Sequence, residues 1–123
     1  MTQQTEHTYI DPQPTTEHLR FIPLGGLDEV GKNMAVVEYG EDIIIIDVGM
    51  GFSEEEMLGV DLVLPDVSYL NGKQSRIRGI CITHGHEDHI GGIPWLLPRV
   101  NAPIYGTPRL PTMEETMTRC PRR

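Results

Sequence analysis

At 123 residues and a net charge of −8, the chain has no extended cationic face for nucleic acid, and any phosphate-gripping surface must lie mostly outside it. A hydrophobic content of 38%, an aromatic content of 6%, 13 Gly and 10 Pro allow at most one domain, either loop-rich or part of something larger. No apolar run reaches the length of a membrane span, the polar start MTQQTEHTYIDPQPTTEH lacks a signal-peptide core, and two cysteines, Cys81 and Cys120, are too few for a disulfide framework, so a reducing, cytoplasmic setting is expected.

Residues 1–17 show no periodicity and read as a leader without fixed structure. Order is expected from about Leu19, where LRFIPL reads as a strand that breaks at Gly25 and Gly26. MAVVEYG and DIIIID are two further strands joined by a short YGED hairpin. The unbroken isoleucines 43–46 predict a strand buried on both faces. Residues 48–66, with three glycines, Pro65 and the acidic patch 54–56, form a long loop of the kind that usually serves function. DVSYLNGKQSRI holds a short helix weakened by Asn71 and Gly72. IRGICIT is a buried strand in which Cys81 acts as a small hydrophobe. IGGIPWLLPRV reads as one helical segment with Pro94 in its first turn, and APIYGT as a last short strand. The end, PRLPTMEETMTRCPRR, carries Pro108, Pro111 and Pro121 in a polar filling that allows no useful amphipathic helix. The organisation expected is thus a leader (1–17), one unit (18–107) and an irregular tail (108–123), in a mixed α/β (α+β) architecture.

The chemistry concentrates in ICITHGHEDHIGG, which contains the pattern H-x-H-x-D-H: His84, His86, Asp88 and His89. Imidazole and carboxylate are ligands for zinc or manganese, and four such donors in six residues far exceed what solvated loop histidines provide. On an extended strand end His84 and His86 share a face, while Asp88 and His89 follow as the chain turns into a helix and reach a second position. Two adjacent metals can activate water and stabilise both the attacking and the leaving oxygen of a phosphodiester. Asp47, at the end of the isoleucine strand, is either a turn-forming residue before Gly49 or an acid that orients ligand histidines. Each catalytic metal needs about three protein ligands, and His7 and His18 lie in or beside the leader, so half of a two-metal site is expected here.

THGHEDHIGG, together with a strand ending in Asp47, resembles the metallo-β-lactamase superfamily. PLGGLDEVGKNM, DVGMGF, GVDLVLPD and THGHEDHIGGIPWLL, in that order over residues 19–107, resemble the amino-terminal part of the bacterial ribonuclease J family, in the β-CASP branch. The resemblance implies part of a four-layer αββα sandwich with two Zn2+ (or Mn2+) ions that hydrolyse RNA, as 5′-to-3′ exonuclease and endonuclease in RNA turnover and ribosomal RNA maturation. It implies that His84 and His86 hold one ion and Asp88 and His89 the other, with Asp47 as the orienting acid. It implies also a structural Ca2+ at Gly59 and Asp61, homo-oligomers, and residues 25–33 at the rim of the site, where their whole role could equally be a glycine-rich turn. Family chains continue with further metal ligands and an RNA-gripping insertion. The tail 108–123 departs from that pattern and reads as a truncated or frame-shifted end, so the chain alone is expected to be inactive. The alternatives are a thioester or lactam hydrolase of the same superfamily, and an inactive remnant.

Overall fold

The computed structural model describes residues 18–52, 59–60 and 62–107. The leader 1–17, the acidic patch 54–56, Asp61 and the tail 108–123 with Cys120 lie outside the described residues.

Alternating apolar residues make the first three strands an antiparallel meander: β1 (Leu19–Gly25), β2 (Met34–Tyr39) and β3 (Asp42–Ile46). Gly40 takes φ 56° at the first position of the two-residue turn between β2 and β3, a conformation that primed hairpin turns require. After β3 the chain leaves the sheet. Within the expected loop, β4 (Gly51–Phe52) pairs antiparallel with β5 (Leu62–Val63), and two 3₁₀ turns follow at Ser68–Leu70 and Gln74–Arg76. Asn71 and Gly72, the latter at φ 75°, separate these turns where one short helix was expected.

The chain re-enters the sheet as β6 (Ile77–Cys81), parallel to β3, and passes through α1 (Glu87–Ile90) and α2 (Ile93–Leu96) into β7 (Ile104–Tyr105), parallel to β6. The sheet order is β1-β2-β3-β6-β7. The single helix expected over IGGIPWLLPRV is instead two single turns, and the first begins at Glu87, inside the histidine cluster. The reason lies in the backbone bonds. The Gly92 amide donates to the Val48 carbonyl (2.8 Å), while the Asp88 carbonyl, its helical acceptor, is taken by the Asn33 amide (3.1 Å). Pro94 then has no amide to extend the ladder.

Val36, Ile43, Ile45 and Ile80 form one sheet face, covered by Leu70, Ile90, Ile93, Leu96 and Val100. The opposite face has no such cover among the described residues. The isoleucine run is therefore not buried on both faces: Ile43 and Ile45 are fully buried, but Ile44 is 40% exposed, because neighbours along a strand point to opposite faces. Cys81, on the same open face as its partner Ile46, is only partly buried for the same reason.

Among the described residues, Glu38 is the one acid inside the core face. Its carboxylate accepts from the Tyr69 hydroxyl (2.6 Å) and Arg76 Nη2 (2.7 Å), and Arg76 also donates to the Gly40 carbonyl (2.8 Å). Burial, the largest single influence, raises the Glu38 carboxyl, but the hydrogen bonds from Tyr69 and Arg76, with the positive charges of Arg76 and Lys73, together outweigh it and hold the group below its ordinary value. No described helix is long and apolar enough to cross a membrane.

Candidate metal centre

Parallel pairing sets the ends of β3 and β6 side by side, and the next residues of both strands meet there. The Asp47 amide donates to the Cys81 carbonyl (2.9 Å), extending the ladder by one bond. At φ 59° Asp47 then turns left-handed, which an aspartate tolerates better than a bulky residue. Its carboxylate turns back over the strand ends, 5% exposed. Oδ1 accepts the Thr83 amide (2.8 Å), and Oδ2 accepts the Thr83 hydroxyl (2.7 Å) and stands 2.8 Å from His89 Nδ1.

That last contact fixes the imidazole. A carboxylate only accepts, so the proton between the two groups sits on His89 Nδ1, and Nε2 is the ring nitrogen turned toward the other donors. Nε2 lies 3.4 Å from Asp88 Oδ2. His84 completes a group of three: ligand atoms of His84, Asp88 and His89 all lie within 4.8 Å of one another. The His84 and His89 rings stand 3.8 Å apart between centroids.

Two imidazoles and a carboxylate are a fitting donor set for a divalent first-row cation. Tetrahedral donors about 2.1 Å from one ion lie about 3.4 Å apart, so the group, with atoms up to 4.8 Å apart, would draw in by up to roughly 1.4 Å around a single cation. Its partly exposed rim leaves a path for that movement: His84 is exposed, and Asp88 and His89 are half-buried.

His86 is placed differently. It is the exposed N-cap residue of α1, in extended conformation, with its ring edge-on to His84 at 4.8 Å between centroids. The geometry thus gathers His84 with Asp88 and His89 rather than with His86. His18 is exposed just before β1 and is not in the group. Gly59 is an exposed turn residue at φ 80°, while its expected calcium partner Asp61 lies outside the described residues.

Two residues touch this centre that the sequence alone did not single out. Thr83 donates to both Asp47 oxygens, and Asn33 reaches Asp88 and His89 from the turn before β2. Asn33 could have been sought as the polar end of GGLDEVGKN. Thr83, a threonine after a strand, carries no such signal.

The model of the Metallo-beta-lactamase superfamily matches residues 27–115. The chain is 48% identical to Ribonuclease J2 of Bacillus subtilis over 92 residues, 75% of this chain and 17% of that protein. It is 48% identical to Ribonuclease J of Synechocystis sp. over 95 residues, 77% of this chain and 15% of that protein. It is 53% identical to Ribonuclease J 1 of Streptococcus pyogenes over 85 residues, 69% and 15% of the two chains. The chain therefore spans 15–17% of the length of these curated relatives. With a family match over most of its length and the partial α/β sheet that carries the H-x-H-x-D-H turn, the chain belongs to the metallo-beta-lactamase superfamily, with ribonuclease J proteins as its relatives.

Proposed function

We propose that this chain is the metal-binding portion of a metal-dependent RNA hydrolase of the ribonuclease J type, working in the cytoplasm with zinc as the first choice of ion and manganese as the second. One observation carries the reading: three metal donors converge at the carboxyl ends of two adjacent parallel strands, with Asp47 behind His89. His84, Asp88 and His89 would hold one divalent cation there, and His86 stands beside them for a second. Such ions supply activation of water and neutralisation of the charge that develops on a phosphodiester.

The chain's own residues do the positioning. Asp47 holds His89 in the tautomer that presents Nε2, and the two hydrogen bonds donated by Thr83 lock the carboxylate to the end of β6. Gly91 and Gly92 let α1 pack against the loop after β3: a Cβ on Gly91 would press on the Met50 side chain at 2.5 Å, and one on Gly92 on the Gly49 carbonyl at 2.8 Å.

Four donors are fewer than two catalytic ions need, at about three protein ligands each. The 123 residues alone are therefore expected to bind the cation and to leave RNA intact. The RNA surface and any homo-oligomer belong to the longer protein in this proposal. The test is a hybrid in which residues 19–107 replace the matching segment of the Streptococcus pyogenes Ribonuclease J 1. A soluble hybrid is expected to shorten 5′-labelled RNA, and His89→Ala in it to abolish the cutting. A folded, metal-loaded hybrid that leaves RNA untouched, or cuts equally with His89→Ala, contradicts the proposal.

A further inference from the structure

The turn between β1 and β2 is built to deliver one side chain. Gly25 has no room for a Cβ, which would collide with the Lys32 carbonyl, and a Cβ on Gly26 would stand 2.6 Å from Asn33 Oδ1. The Gly26 amide donates to Glu29 Oε1 (2.9 Å), and Glu29 Oε2 pairs with Lys32 Nζ (2.9 Å), which closes the turn on itself. Gly31 and Lys32 then take φ 89° and 52°, and this reversal aims Asn33 at α1.

Every polar group of Asn33 for which a partner is seen serves the metal centre or the loop beside it. Its backbone amide and its Nδ2 both donate to the Asp88 carbonyl (3.1 Å each). Nδ2 also donates to Asp88 Oδ2 (3.3 Å) and lies 3.4 Å from His89 Nε2. Its carbonyl accepts the Gly49 amide (2.9 Å). Gly49 is as constrained as the turn: a Cβ there would collide with the Asp88 carbonyl and stand 2.6 Å from the Asn33 nitrogen.

We infer that Asn33 is a positioning residue of the metal centre, whose carboxamide holds the Asp88 carboxylate beside His89 Nε2. The inference rests on the metal reading given above. A neutral donor suits this place, since a lysine there would repel the cation and an aspartate would compete with Asp88 for it. The same bonds end α1 after one turn, because they occupy the carbonyl that a longer helix would use.

The test is a set of cobalt(II) and zinc titrations of the unaltered chain, Asn33→Ala and Lys32→Ala, each with a melting curve of its metal-free form. Asn33→Ala is expected to weaken binding by about 10–100-fold, the range for groups that orient metal ligands, and to shift the visible bands of the cobalt-loaded protein. Lys32→Ala removes the ion pair that closes the same turn and the packing of that side chain beside Gly51, and is expected to change neither. Equal affinity and spectrum in Asn33→Ala, even with a lowered melting temperature, would make Asn33 a strut of the turn and overturn the inference while the metal reading stands. Failure of the unaltered chain to bind either ion overturns the metal reading and this inference with it. If Asn33→Ala does not fold, Asn33→Ser, which keeps the backbone bonds and retracts the donor, is held to the same two outcomes.

Discussion

Asp47 and Gly49 are the residues on which the centre's geometry turns. Asp47→Asn isolates the hydrogen bonding, because asparagine accepts φ 59° as readily as aspartate. The amide cannot accept from the Thr83 amide, the Thr83 hydroxyl and His89 Nδ1 together as the carboxylate does. Metal affinity is expected to fall about 10–100-fold, read by competition with a chelator, and an unchanged affinity would remove Asp47 from the site. Gly49→Ala drives a methyl into the Asp88 carbonyl, a backbone atom that cannot step aside. It is expected to destabilise the fold by about 1–3 kcal/mol, as overpacking does, measured by urea denaturation. The two residues differ in how much of this could be read beforehand. The place of Asp47 at a strand end before a glycine allowed two roles, and the structure adds its left-handed φ and its 2.8 Å contact with His89 Nδ1. Nothing in the sequence told which atoms crowd Gly49, since Asp88 and Asn33 are distant along the chain.

At the scale of elements, strands were more legible than helices. The period of two in β1 and β2 and the turn at Gly40 are local signals, and the meander follows them. The expected single helix ignored long-range competition for backbone groups: Asn33 and Val48 divert the bonds that would join α1 to α2. The isoleucine run misled for a different reason, since its length said nothing about what covers each face. β2 is joined to the 3₁₀ turns by Glu38, whose carboxyl lies below its ordinary 4.5. A lowered carboxyl stabilises the fold fully above its ordinary value, and that contribution is lost as the pH falls through the lowered one. The melting temperature is therefore expected to drop on acidification below about 4.5, and to drop less steeply in Glu38→Gln. Parallel acid slopes for the two proteins would show that Glu38 does not contribute.

At the scale of the molecule, the two sheet faces are unequal. One carries the helical turns and the core. The other carries Phe21, Val37 and Ile44 in one register row, and Pro23, Ala35, Ile46, Cys81 and Tyr105 in the next, with Phe21 65% exposed. In a four-layer αββα sandwich one face of a sheet meets helices and the other meets a second sheet, and this division of faces agrees with that arrangement. An apolar face of this kind left open in solution favours association. The 123-residue chain is expected to self-associate by sedimentation, and Phe21→Ser with Ile44→Thr to reduce it. A monodisperse monomer would contradict this. The family was legible in a few short motifs because the candidate donors lie in one stretch, 84–89, while Asp47 and Asn33, which contact them, come from just after β3 and from the turn before β2. The central claim is that His84, Asp88 and His89 form a metal centre oriented by Asp47. Its most direct test is anomalous diffraction, at the zinc edge, from crystals of the zinc-loaded chain. Zinc at about 2.0–2.2 Å from these three residues, with the Asp47–His89 bond intact, is the result expected. Zinc bound elsewhere, or a protein that takes up none, would contradict it.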